Sequence, residues 1–329
     1  MAVDLQNKRV IMIHGLASKP PAKALHELWR QCILENIRVD DAALAAGMEA
    51  DSRLFRSAYW ADATPHHIAD DAAYVRKLRE QIDGVIAARQ EAGAEFHVGP
   101  GEAVGDFFKD RGADLVKLLA GALTVKDDVM RAYLRETELY ALDQHIADRM
   151  RAPLEEALRE AWDSNCEVVL LAHSMGTFIS YDVLWRFSHR DIEGFKKYRA
   201  KKVRLFATMG SPLGDKTVRD LFFARHHKNQ GRRQYPVNIE YWHNYSCLGD
   251  VVSHQPEFEK IFFEPMRGLG IISGAERTRD YVNLHNPFQV VAHAGNKGRE
   301  MRNPHKSYGY LVQPRLSKQL SRFFRGELE

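Results

Sequence analysis

The segment Leu170-Leu-Ala-His-Ser-Met-Gly176 sets a serine between an apolar, strand-forming run and the start of helical text. On such a turn the hydroxyl is raised above a sheet and the first N–H groups of a helix lie behind it. A hydroxyl is a weak nucleophile at neutral pH, so this chemistry also needs a base beside the serine and a carboxylate to orient that base. Ala172 and Gly176 are small because side chains there would collide across the turn; Ala172 stands where a glycine is usual and adds only a Cβ. A tetrahedral intermediate would need N–H donors for its oxyanion. Met175, at the helix start, and Leu16, just after His14-Gly15, are the expected donors. Gly15 and His173 are expected on the substrate side, and His14 as a structural residue rather than a base.

An acid and a histidine are expected downstream of Ser174, in that order. Asp250, in Cys247-Leu-Gly-Asp-Val-Val252, follows a strand-like segment and sits where a loop would bring a carboxylate to the end of a sheet. Asp280 and Asp215 are the competing acids. His305, in a loop shortly before the final helix, is the expected base, and His293 is its main rival. His243 and His285 fall in strand-like text and read as packed residues, while His254 crowds Asp250. The pairs His66-His67 and His226-His227 cannot share a helix face, and neither HExxH, GxGxxG nor a Walker string is present. No metal and no cofactor are therefore expected. Cys247 lacks any such turn and reads as a small buried residue.

The elements that must position these groups alternate as in an α/β protein. Arg9–His14 is β-branched and apolar enough to be a strand buried on both faces, and Leu25, Leu28, Trp29 and Ile33 give the following segment a helical stripe. Leu54–Trp60 reads as the next strand. Further strands are expected at Cys166–Ala172, Val203–Thr208 and Asn238–Tyr245, with a helix at Met175–Phe187 and an amphipathic helix at Pro314–Arg325 closing the chain. Pro153 is expected to open a helix carrying Leu154, Leu158 and Trp162 on one face. Between residues 61 and 150 strand signals vanish, and charged, Ala-rich helical text predicts an inserted helical cap on a domain made of 1–60 and 151–329. Its stripe of Val104, Phe107, Phe108, Leu115, Leu118, Leu119 and Ala122 is expected to pack on that domain, the alternative being a lid or lipid-facing helix. Phe107 and Phe108 are expected to line an apolar acyl pocket. Arg219–Pro236, rich in basic residues, reads as a solvated surface loop.

The 329 residues are 45% hydrophobic, enough for one large core with an insertion. With 47 basic against 44 acidic residues the net charge is +3, which shows no bias toward nucleic acid. Three cysteines without a CxxC pair argue against a disulfide framework or a zinc knuckle and fit a reducing cytoplasm. The first residues lack the basic start and apolar stretch of a signal peptide, and no apolar run reaches the ~18 residues of a membrane span.

Strand-His-Gly-Leu16, Ala172-His-Ser-Met-Gly-Thr177 with Ser180-Tyr-Asp-Val-Leu184, Met209-Gly-Ser-Pro-Leu-Gly214, Trp242-His-Asn-Tyr245, Asp250-Val-Val252 and His305-Lys-Ser-Tyr-Gly-Tyr-Leu311 together resemble α/β-hydrolases of the lipase-related group. That group includes bacterial esterases and deacylases similar to the GPI inositol-deacylase, and small lipases with an Ala-His-Ser-Met-Gly turn. The likeness covers most of residues 8–60 and 150–325, not the cap. It implies an α/β-hydrolase fold, points again to Asp250, and implies a serine hydrolase acting on a small ester or lipid-like substrate through an acyl-enzyme. Peripheral membrane contact is compatible with this reading, and oligomeric state is not legible. A thioesterase, amidase or acyltransferase would use the same three residues, and a non-catalytic binding protein could retain the fold.

Overall fold

A computed structural model of the protein describes residues 5–16, 19–63, 72–96, 137–216, 218–219, 230–250, 252–253, 257–292 and 299–328. Strands β1 (Lys8–Ile13), β2 (Phe55–Ala58), β3 (Glu167–His173), β4 (Val203–Met209), β5 (Ile239–Cys247) and β6 (Thr278–Leu284) form one sheet. Their order is β2-β1-β3-β4-β5-β6, and every neighbouring pair is parallel. The protein is thus an α/β protein. A separate antiparallel pair, β7 (Gln289–Ala292) and β8 (Arg299–Arg302), was not anticipated from the sequence.

The near-continuous apolar strands follow from burial on both faces. Side chains alternate across a strand, so Val10, Met12, Val169, Leu171, Leu205 and Ala207 enter one apolar layer, and Ile11, Ile13, Val168, Leu170, Ala172 and Phe206 the other. A fully buried Leu or Val contributes roughly 1.5–3 kcal/mol relative to exposure. The first layer is closed by α1 (Ala22–Asp40), α3 (Ala72–Ala92), α8 (Ser307–Leu311) and α9 (Pro314–Arg325); α2 (Ala42–Ala50) packs on α1. The second is closed by α4 (Gln144–Asp163) and α5 (Met175–His189), with the short α6 (Glu193–Lys196) against α5 and α7 (Glu264–Gly268) further along.

Helix α4 corrects one expectation. Pro153 lies inside it rather than at its start, because the helix begins nine residues earlier, where the Asp143 side chain accepts from the N–H groups of His145 (2.9 Å) and Ile146 (3.0 Å). The buried face of Ala147, Met150, Leu154, Ala157, Leu158 and Ala161 holds the helix together through the backbone bond that a proline removes. The expected boundary at 150/151 falls within this helix. Of the expected insertion, α3 packs Leu78, Ile82, Val85 and Ile86 into the layer it shares with α1. Residues 97–136, with Val104, Phe107, Phe108 and the leucines beyond, lie outside the described residues. Among the described residues, no helix is long and apolar enough to cross a membrane.

The chain steps from β1 outward to β2, then returns past β1 and adds β3 to β6 in the opposite direction. The reversal lies between β1 and β3. In open parallel sheets the crevice at the carboxyl ends of such a strand pair is where ligands bind.

Candidate active site

Both β1 and β3 end at that crevice. Ser174 joins β3 to α5 with φ 53° and ψ −126°, a left-handed conformation rare for a residue with a Cβ. Its N–H is held by the carbonyl of Met209 at the end of β4 (2.9 Å), and its carbonyl accepts from the Thr177 N–H (2.9 Å) and Oγ1 (2.7 Å). A Cβ on Gly176 would lie 2.6 Å from the His14 carbonyl oxygen, so the turn leaves only a hydrogen there. Gly15 is as constrained: a Cβ would lie 2.4 Å from the Ser174 Cβ, which shows how closely the loop after β1 approaches the serine.

The Ser174 Oγ lies 2.9 Å from Nε2 of His305, and Nδ1 of that ring lies 3.0 and 2.9 Å from Oδ1 and Oδ2 of Asp250. A carboxylate only accepts, so Nδ1 carries the proton and Nε2 is the ring's lone-pair side, facing the serine hydroxyl. The structure therefore brings together all three residues expected to act, from a strand-to-helix turn, a loop after β5 and a loop before α8. Asp250 is fully buried at its side chain, and the His305 side chain is 26% exposed. Burial would raise the Asp250 carboxyl, but the neighbouring His305, the Tyr310 hydroxyl and the Val252 N–H outweigh it and hold the group below its usual value. Gly210, with φ 56°, passes beside this pair: a Cβ there would lie 2.9 Å from Asp250 Oδ2 and 3.1 Å from His305 Nδ1.

Of the expected oxyanion donors, Met175 directly follows the serine, and Leu16 follows Gly15, which lies against Ser174. Met175 opens α5, and the first N–H groups of a helix have no acceptor inside it. On the other side, His14 Nδ1 lies 2.7 Å from the Gly15 carbonyl oxygen, and its Nε2 accepts from the Trp60 N–H at 3.1 Å. The Gly15 carbonyl is thereby drawn toward the imidazole. In a trans peptide the N–H points opposite to the C=O, so the Leu16 N–H faces away from that ring. Burial, with a smaller effect of Lys19, pushes the His14 pKa down to about 3, so this ring is neutral and serves the loop as a brace. Trp60 stacks on it at 4.8 Å and donates its indole N–H to the His14 carbonyl (2.9 Å).

His173 does not reach outward; it lies against His305, with ring centroids 4.8 Å apart, and its Nε2 hydrogen-bonds the His305 carbonyl oxygen (2.8 Å). Burial and the neighbouring His305 hold it well below the usual imidazole range. Among the rivals, Asp280 accepts from Asn244 (2.9 Å), and Asp215 from the Val218 N–H (3.0 Å). His243 is buried in β5, His285 lies beside Phe96, and His254 and His293 fall outside the described residues. The sequence reading missed Tyr310, whose hydroxyl touches Asp250, together with Gly210 and the His14–Trp60 brace. For Tyr310 the signal was its place five residues after the base, within one short helix. For Gly210 it was a glycine directly after a buried strand.

Among the described residues no group of three or more His, Cys, Asp or Glu side chains is placed to hold a metal ion. Comparison of the chain with family models, curated proteins and solved structures found no match.

Proposed function

We propose that this protein is a serine hydrolase of the α/β-hydrolase type, with Ser174 as nucleophile, His305 as general base and acid, and Asp250 as the carboxylate that orients the base. The observation that carries this reading is the unbroken hydrogen-bonded series from Ser174 Oγ through the His305 ring to Asp250, each step within 3.0 Å. His305 Nε2 takes the hydroxyl proton as Oγ attacks the acyl carbon, and the carbonyl oxygen becomes an oxyanion facing the N–H groups of Leu16 and Met175. Collapse breaks the bond to the leaving alcohol, which receives the proton from the imidazolium. Water then attacks the acyl-serine, His305 takes its proton, and the acid departs as Ser174 is restored. Asp250 stays ionised throughout and stabilises the imidazolium.

A carboxylic ester with an apolar acyl chain is the proposed substrate class. A series of nitrophenyl esters of increasing chain length, run on wild type and Ser174→Ala, tests both claims. Hydrolysis that depends on Ser174 and persists beyond the shortest chains is expected; activity retained in the variant sinks the mechanism, and activity confined to acetate sinks the lipid-like substrate.

A further inference from the structure

The Asp250 carboxylate has a partner that the three-residue series does not use. The Tyr310 hydroxyl lies 2.5 Å from Asp250 Oδ2, on a ring with no exposed surface. The same phenol oxygen accepts the Cys247 N–H at 3.0 Å. That bond occupies one of its lone pairs, and because an ionised carboxylate has no proton to give, the phenol's single proton goes to Oδ2. The Val252 N–H takes Oδ1 at 2.9 Å. Asp250 is therefore gripped from three directions: His305 in front, the backbone on one side and Tyr310 on the other. Tyr310 and His305 both belong to residues 305–311, so one short piece of chain delivers the base and the clamp on its acid.

We propose that Tyr310 is a positioning residue for this site: its hydroxyl, aimed by the Cys247 N–H, holds the Asp250 carboxylate in line with His305 and sets how strongly that carboxylate draws on the imidazolium. The proposal rests on the roles given above to Ser174, His305 and Asp250. A charged acceptor makes such a bond stronger than a neutral one, and the O–H dipole takes up part of the negative charge that His305 would otherwise see. Among the described residues, the titratable and charged groups around the Asp250–His305 pair are Tyr310, Cys247 beside Asp250, Lys306 next to His305 in sequence, His173 from β3, and Lys19 from the loop after β1. Of these, the Tyr310 hydroxyl is the one that hydrogen-bonds the carboxylate itself.

Two variants move this bond in opposite directions while keeping the ring. Tyr310→Phe deletes the hydroxyl, and site-specific 3-fluorotyrosine at 310 makes it a stronger donor. The readout is the pH titration of the histidine ring resonances by NMR, with His305→Gln assigning the signal among the 15 histidines. Removing the donor leaves the carboxylate more attractive to the imidazolium, so the midpoint should rise by about half a pH unit in Tyr310→Phe and fall in the fluorinated protein. Fluorophosphonate labelling of Tyr310→Phe should slow by about tenfold, the worth of one charge-assisted hydrogen bond. Midpoints within about 0.1 unit of wild type in both variants, or shifts of the same sign in both, would overturn the proposal. If Tyr310→Phe does not fold, the fluorinated protein, with every bond retained, decides alone. Because the NMR readout does not need turnover, a wild type that titrates as expected but never labels at Ser174 would remove the hydrolase reading and leave the Tyr310–Asp250 coupling standing.

Discussion

Among the described residues, two buried carboxylates each receive a tyrosine hydroxyl, and one of them stands beside the His305 ring that faces Ser174. In the layer of α4 and α5, Tyr140 donates to Asp182 (2.7 Å), and Arg151 also donates to that carboxylate (2.8 Å). Arg151 also pairs with Asp148 (2.6 Å), and Arg186 with Glu155 (2.9 Å), so this cluster ties two helices together with permanent cations. At the carboxyl ends of the strands, Tyr310 donates to Asp250 (2.5 Å), and the ring partner of that carboxylate is His305. A guanidinium stays charged at any pH a protein meets, so Asp182 is locked into an ion pair. An imidazole can give and take a proton, so Asp250 is in a position to influence a reaction. The same carboxylate–phenol unit is a rivet or a lever according to the base beside it.

Substitutions can break this contrast, and under the proposed mechanism the largest effects fall on Ser174 and His305. Ser174→Ala or His305→Ala should each lower ester turnover by about three or more orders of magnitude with the fold retained, measured as kcat/KM alongside circular dichroism. The two carboxylates should then separate cleanly. Asp250→Asn should cut turnover by about two orders of magnitude or more, less than loss of Ser174 or His305, because the imidazole loses its orienting partner. Asp182→Asn should instead lower unfolding stability by about 2 kcal/mol, since it removes one of the two carboxylates paired with the buried Arg151 guanidinium and leaves it Asp148 alone, while the folded protein keeps its turnover. If Asp182→Asn costs activity without stability, the distinction between the two clusters fails.

The tyrosines repeat that division at smaller scale. Tyr310→Phe should slow turnover by about tenfold, whereas Tyr140→Phe should cost about 1 kcal/mol in a urea titration and leave kcat/KM near wild type. At neutral pH the smallest effect concerns imidazoles kept neutral, whose contribution emerges only as the pH falls. Burial, reinforced by Arg279 and Arg322, pushes the His243 pKa from 6.5 down to about 3, and His14 falls as far. Their unfolded forms take up a proton near pH 6.5 and their folded forms only near pH 3, so across that window the unfolded state binds more protons. Stability therefore falls as pH drops from about 6.5 toward 3, and urea midpoints for His243→Phe should decline less steeply than those of wild type over the same range.

Much of this arrangement was legible in the sequence, and the physical reasons differ residue by residue. The strands could be read because both faces are buried, which makes β1 and β3 unbroken apolar runs. Ser174 could be placed because its turn needs small neighbours at fixed offsets, and Asp250 and His305 because loops after late strands end at the same edge of a sheet. Tyr310, Gly210 and the His14–Trp60 brace were not read, since each acts through contacts between residues remote in sequence, and the local position of Tyr310 or Gly210 names no partner. Helix α4 was misjudged at its start because Pro153 is a strong local signal, while the Asp143 cap and the apolar face of Ala147 and Met150 are spread over several turns. The antiparallel pair of β7 and β8 was missed although the sequence between them holds Gly295, Asn296 and Gly298, because each strand is only four residues long and shows no clear alternation.

The most direct test is to treat the folded protein with a fluorophosphonate and map the modified peptide by mass spectrometry. One adduct, on Ser174, with labelling lost in His305→Ala, is what the hydrogen-bonded series requires. An intact, folded wild type that takes up no probe, or takes it up elsewhere, would contradict the assignment of Ser174 as nucleophile.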